Sequence, residues 1–155
     1  MNINASTRRR LLATGLGLGA WVLVRPAAAA PEELKATLQA YTGGAALKSG
    51  RVLLDIAAIV DNGNTVPITV TVDSPMSATD HVTAIAVFNE RNPQREVVKF
   101  ALSPRSGRSG RASVSTRIRL ATTQQLVAVA RMSDGSYWSH SVDVIVAIAA
   151  CLEEV

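Results

Sequence analysis

The sequence predicts an all-β fold: an immunoglobulin-like antiparallel β-sandwich of about seven strands with a short N-terminal helix. Apolar and polar residues alternate along several runs, among them Val66–Asp73 and Ser113–Leu120, which is the period of a half-buried strand. Turn-forming residues separate these runs at intervals of roughly ten residues, as in antiparallel sandwiches. Only 4% of the chain is aromatic, so we expect a core of Val, Ile, Leu and Ala.

Residues 1–29 are predicted to be a twin-arginine (Tat-type) signal peptide, which would place the mature protein in the periplasm. Arg8–Arg10 precede the apolar stretch Leu11–Val24, which is too short for a stable membrane anchor. Ala27–Ala29 then supply a small-x-small cleavage pattern, so that the mature chain would begin at Ala30. Thr7–Leu12 resembles the twin-arginine motif. The alternative is that this segment stays as an uncleaved anchor.

The basic character of the whole chain comes from that segment. The full sequence has a formal net charge of +4 and a pI of about 9.8. Four of its 16 Lys and Arg residues precede Ala30, and the remaining 12 balance the 12 Asp and Glu. A near-neutral mature domain argues against a nucleic-acid partner, and we expect no membrane association after signal cleavage.

After the cleavage site, the sequence predicts one short helix. Pro31 and the two glutamates after it suit the first turn of a helix. Leu34, Leu38 and Tyr41 fall on one face, and Gly43–Gly44 ends the helix.

Seven predicted strands follow the helix, and a single domain is expected over residues 30–148. Because the Cys…Trp…Cys signature of true immunoglobulin domains is absent, the prediction is only immunoglobulin-like. The loop Ser103–Arg111 carries three arginines and is interpreted as solvated, with an anion-attracting loop as the alternative. The predicted strands are Arg51–Ile56, Val66–Asp73, His81–Asn89, Glu96–Leu102, Ser113–Leu120, Leu126–Met132 and Tyr137–Ile148.

Cys151, the one cysteine of the chain, follows the last predicted strand in a C-terminal arm at residues 149–155. An exported protein with one cysteine has no internal disulfide, and a free thiol in an oxidising compartment needs a partner, a reaction or protection. A thiol on such an arm can carry a covalent cargo into the active sites of other proteins. The alternative is an incidental cysteine that is buried or pairs between chains.

Metal binding and catalysis are less well supported by the sequence. The copper-type ligands available are His81, His140, Met76, Met132 and Cys151, but no His and Met follow the cysteine as a blue-copper loop requires. No Gly-x-Ser-x-Gly motif is present, while a dyad of Cys151 with either histidine stays open. We therefore predict no enzyme activity, no catalytic residue, no cofactor and no metal. A thiol-dependent redox enzyme remains a separate alternative.

Four runs of the sequence have a recognisable pattern: Asn62–Met76, Ser115–Ala121, Val127–Ala130 and Met132–Ser136. These runs resemble the SoxY family, the sulfur-carrier subunit of the bacterial thiosulfate-oxidising Sox system. The resemblance covers nearly all of the mature chain and includes Thr42–Gly44 and the near-terminal cysteine. It implies an immunoglobulin-like sandwich that forms a heterodimer with a SoxZ-like subunit and attaches sulfur covalently to Cys151.

The same resemblance implies a set of partner enzymes. A SoxAX-type cytochrome would conjugate thiosulfate to Cys151, a SoxB-type enzyme would hydrolyse the sulfonate group, and a SoxCD-type dehydrogenase would oxidise the remaining sulfur. The carrier itself is then not an enzyme, and it has no cofactor, only the covalent sulfur adduct on Cys151.

The end of the chain departs from the family pattern. The family's arm reads Gly-Gly-Cys-Gly-Gly, whereas this chain reads Ala149-Ala150-Cys151-Leu152, followed by Glu153-Glu154-Val155. Leu152 makes the tip bulkier, and the carboxylates would repel anionic sulfur species and raise the thiol pKa. The apolar run before the cysteine would also shorten any free arm. The alternative function is therefore a divergent, non-carrying SoxY-like paralogue that acts only as a pairing module.

Overall fold

The computed structural model describes residues 30–105 and 111–150, which fold into one helix and nine strands in two sheets. The all-β sandwich with an N-terminal helix is thereby confirmed. The predicted signal peptide at residues 1–29 and part of the arginine-rich loop, residues 106–110, lie outside the described residues. The elements are α1 (Ala30–Thr42), β1 (Leu47–Lys48), β2 (Val52–Asp55), β3 (Ile59–Asn62), β4 (Val66–Asp73), β5 (Val82–Asn89), β6 (Glu96–Ala101), β7 (Arg111–Ile118), β8 (Gln124–Met132) and β9 (Tyr137–Ile148).

The strands divide between a six-stranded and a three-stranded sheet. The larger sheet has the order β1-β9-β8-β5-β6, with β3 also pairing with β9, and the smaller has the order β2-β4-β7. All seven predicted strands are present with bounds shifted by a few residues at most. Two short strands, β1 and β3, were not predicted, because neither is long enough to show alternation. Both pair with β9 in parallel, so the sandwich is not antiparallel throughout.

Inward-facing aliphatic side chains form the core between the sheets. Val66, Ile68, Val70 and Val72 of β4 are each at most 3% exposed, as the alternation along that strand predicts. This core contains no aromatic residue among its fully enclosed members, which agrees with the low aromatic content of the chain.

The outer face of the larger sheet is covered by α1. Val127 and Val129 alternate along β8 with residues of the core between the sheets, yet they too are buried, at 5% and 0% exposure. Leu34 of α1 packs in one cluster with them, and Leu38 and Tyr41 from the same helix face border that cluster. The helix therefore converts the solvent face of β8 into a second, smaller core. No helix in the part of the chain that the structure describes is long and apolar enough to cross a membrane.

His140 joins the two sheets through a side-chain hydrogen bond. It lies in β9, and its Nδ1 accepts the backbone N–H of Leu54 in β2 at 3.1 Å. That contact satisfies a main-chain donor at the edge of the smaller sheet and gives His140 a structural role.

Tyr41 provides a test of the packing between α1 and the larger sheet. Its ring makes edge contacts with Phe88 at 5.1 Å and Tyr137 at 6.0 Å between centroids. Burial raises the pKa of Tyr41 above its ordinary value, and the nearby Tyr137 and Glu96 raise it further.

We expect the folded state to lose stability as the pH rises above the ordinary tyrosine pKa of about 10. Below that pH both states hold Tyr41 neutral; above it the unfolded chain ionises first, which favours unfolding. Urea unfolding from about pH 8 to about pH 11 measures the effect. Tyr41→Phe should flatten the alkaline decline, and an unchanged slope in that variant would contradict this assignment.

Candidate functional site

The last strand, β9, leads to the predicted sulfur attachment site. Cys151 and the rest of the predicted arm, residues 151–155, lie outside the described residues. The residue before it, Ala150, is described and is only 7% exposed. Ala150 is therefore the described residue from which the position of the attachment site has to be argued.

Three main-chain hydrogen bonds hold the segment that leads to Cys151. Gly63, just after β3, donates its N–H to the carbonyl of Ile148 at 2.8 Å. Leu120, which follows β7, donates to the carbonyl of Gly63 at 2.8 Å and accepts the N–H of Ala150 at 3.0 Å. We call these four residues the exit junction. They bring three distant segments of the chain together directly before Cys151 in the sequence.

Gly63 is at this junction because there is no room for a side chain. A Cβ added to it would lie 2.3 Å from the carbonyl oxygen of Leu120 and 3.0 Å from the backbone nitrogen of Ala150. The first of these distances is far below any van der Waals contact, so the close approach of the three backbones requires glycine.

Asn92 holds the loop that supplies Leu120. Its Nδ2 donates to the carbonyl of Arg119 at 2.8 Å, and its Oδ1 accepts the N–H of Ala121 at 3.0 Å. The same Oδ1 accepts a hydrogen bond from Nε2 of Gln124 at 2.8 Å. Asn92 thus bonds to both residues that flank Leu120, and it is itself 8% exposed. The position of Leu120 depends on a buried side-chain network as well as on its own backbone.

That network continues to the N-terminal helix. Arg95 donates to the carbonyl of Asn92 and to the carboxylate of Glu33 in α1. The backbone N–H of Asn92 donates to Oδ1 of Asn89 at 2.9 Å. The exit junction is therefore connected by polar contacts to both ends of the described chain.

The two histidines lie far from the exit junction. His140 precedes Ile148 by eight residues in the same strand, which corresponds to about 26 Å at the usual rise of a β-strand. His81 exchanges hydrogen bonds with Ser133 at the β8–β9 hairpin, beyond the opposite end of β9. The arrangement therefore gives no support to a dyad between either histidine and Cys151.

The methionines weighed as copper ligands are core residues. Met76 is 7% exposed and its sulfur accepts the N–H of Val82 at 3.4 Å, while Met132 is 1% exposed. Nδ1 of His81 is buried, and no described residue is its hydrogen-bond partner. Over residues 30–105 and 111–150, no three His, Cys, Asp or Glu residues cluster as a metal site would require.

Together, the fold and the junction define a small immunoglobulin-like sandwich whose last strand leads into its single cysteine. The family model of the sulfur oxidation protein SoxY matches residues 38–151, a range that includes Cys151. The chain therefore belongs to the SoxY family, as the resemblance of its sequence predicts.

Solved structures agree with this assignment. The sulfur carrier protein SoxY from Chlorobium limicola f thiosulfatophilum is 27% identical, with a TM-score of 0.62 over 76% of this chain and 99% of that one. A superoxide reductase from Ignicoccus hospitalis (16% identity, TM-score 0.54, 72% and 86% covered) shows the fold alone. The same holds for a putative superoxide reductase from Thermotoga maritima (18% identity, TM-score 0.55, 64% of this chain and 93% of that one covered). No curated protein sequence matches this chain.

Sequence reasoning missed the supporting residues of the exit junction. In the sequence, Gly63 lies within the turn signal Asp61–Asn64 and Asn92 precedes Pro93, so the pattern predicts only that both are turn residues. The Asn-Gly and Asn-Pro pairs signal a turn but do not indicate which distant backbone the turn will contact.

Asn92→Ala should destabilise the domain by about 2–3 kcal/mol, because it leaves the carbonyl of Arg119 and the N–H of Ala121 without their partner. Urea unfolding measures this loss. The exposed turn residue Asn64, replaced by alanine, is the matched control and should change stability by less than about 0.5 kcal/mol. Equal effects of the two variants would show that the Asn92 network does not support the junction.

Proposed function

We propose that this protein is a periplasmic carrier that bears sulfur intermediates covalently on Cys151 during thiosulfate oxidation and presents them to partner enzymes. The observation that carries the proposal is that the family match extends through Cys151, the one cysteine of the chain. The related Chlorobium protein is a sulfur carrier. The exit junction adds a physical reason, since it holds the chain firmly up to the residue before the thiol.

The chemistry proposed for Cys151 needs an outside oxidant and an outside catalyst. Conjugation joins the thiol sulfur to the terminal sulfur of thiosulfate, releasing one proton and two electrons to a c-type cytochrome. Hydrolysis by water then breaks the bond between sulfur and the sulfonate group, leaving a persulfide on Cys151 and releasing sulfate.

The partners in this proposal follow from membership of the family. They are a SoxZ-like subunit that forms a heterodimer with this domain, and SoxAX-, SoxB- and SoxCD-type enzymes that act on the bound sulfur. Export through the twin-arginine pathway, supported by Arg8–Arg10, would bring the carrier to these enzymes in the periplasm.

A specific observation also favours a second candidate, a non-carrying SoxY-like pairing module. Alanines 149 and 150 stand where the family has two glycines, and Ala150 is bonded to the domain. A cysteine that emerges so close to the folded surface has less reach than one on a glycine arm.

Incubation with thiosulfate and a SoxAX-type conjugating enzyme should add one thiosulfate group to the wild-type chain, seen by intact-mass spectrometry. The adduct should be absent in Cys151→Ser, which changes one atom of the side chain. If Cys151 stays unmodified while the same enzyme loads a glycine-armed SoxY, the carrier proposal fails and the pairing module is favoured.

The acidic residues after the cysteine should slow loading by an anion. Glu153→Gln combined with Glu154→Gln should raise the loading rate at low salt by roughly two- to fivefold, because two repelling charges are removed. Loading rates measured at rising ionic strength are the control, since screening of the charges should make the rates of the wild type and the double variant converge. A constant ratio at all salt concentrations would mean that charge repulsion is not the cause.

A further inference from the structure

We propose that the exit junction sets the reach of Cys151 and thereby selects partner enzymes with shallow, open active sites; this inference rests on the proposed carrier function. Gly63 and Leu120 are then positioning residues, because they act on Cys151 through the backbone of Ala150. Neither residue contributes a side-chain functional group. Their part is to hold the chain in place up to the residue before the thiol.

The reach follows from the hydrogen bonds. The N–H of Ala150 is bonded to Leu120 at 3.0 Å and the carbonyl of Ile148 to Gly63 at 2.8 Å. With both bonds made, no free residue separates the fold from Cys151. If the bond of Ala150 opens, the free segment begins after Ile148 and gains two residues, which extends the reach by about 7 Å. A deep active site would require that extension, whereas a shallow one would not.

The junction is built to stay closed. Ala150 is 7% exposed and Leu120 is fully buried, so water competes poorly for their shared hydrogen bond. Asn92 also fixes both neighbours of Leu120, which prevents the accepting carbonyl from moving away with the chain.

Gly63→Ala tests the exit junction directly, because the new Cβ would lie 2.3 Å from the carbonyl oxygen of Leu120, which accepts the hydrogen bond from Ala150. Since the chain has one cysteine, maleimide reagents report on Cys151 alone. Two probes are compared: N-ethylmaleimide, which is small, and a maleimide borne on a short linker by streptavidin, which mimics a recessed site. In the wild type the bulky probe should react much more slowly than the small one. In Gly63→Ala the ratio of the small-probe rate to the bulky-probe rate should fall by about tenfold, because one main-chain hydrogen bond is lost.

A second variant guards against loss of folding in Gly63→Ala. Ala150→Pro removes the N–H that donates to Leu120 and should lower the same ratio of rates. Ala150→Gly keeps this donor and should lower the ratio less. Gly135→Ala is the control for general destabilisation, since Gly135 has a φ of +82° and no atom within 4 Å of an added Cβ. It should lower stability without changing the ratio.

An unchanged ratio in both Gly63→Ala and Ala150→Pro would overturn the inference, as would an equal change in Gly135→Ala. These reagent rates require no partner enzyme, so they are independent of the carrier function. Failure of the carrier function would instead appear as a wild-type Cys151 that reacts with maleimide but is never loaded with thiosulfate.

Discussion

The C-terminal segment depends on the backbone of Leu120. The N–H and the carbonyl of this residue bond to two different stretches of the chain. Leu120 donates to Gly63 and accepts from Ala150, so it joins the β3–β4 turn to the segment that leads to Cys151. That contact is possible only because Gly63 has no side chain, and it stays in place because Asn92 bonds to both neighbours of Leu120. A sandwich of this size offers many loops, but here a turn, a loop and a strand end share one set of hydrogen bonds.

The rest of the fold holds β9 and the exit junction in place. Strand β9 pairs with β8 along one edge and with β1 and β3 along the other, which gives it partners at both ends. Between those partners, His140 bonds to β2 and ties the smaller sheet to β9. The helix α1 buries Val127 and Val129 from the outside and, through Glu33 and Arg95, contacts the network around Asn92. Strand β9 and the residues after it up to Ala150 are therefore attached to the rest of the fold at several separate points.

The sequence was sufficient for the parts of the fold that repeat a local pattern. Val66–Asp73 alternates over its whole length, and the strand has those bounds. The burial of Val127 and Val129 under α1 could not be predicted, because alternation reports one buried face and cannot reveal a helix on the other. Strand β3 and the exit junction could not be predicted, since they consist of main-chain bonds among residues up to 87 positions apart. Cys151 was visible because it is the one thiol, whereas Gly63 and Asn92 resembled ordinary turn residues.

Amide hydrogen exchange at Ala150, followed by NMR on the wild-type chain, tests the central claim most directly. If its N–H is held by Leu120 in a closed junction, it should exchange at least about a hundredfold more slowly than an unstructured amide. Gly63, whose N–H bonds to Ile148, should show comparable protection. Exchange of Ala150 at the unprotected rate while Gly63 stays protected would mean that the chain is free from Ala149 onward, and that the fold does not limit the reach of Cys151.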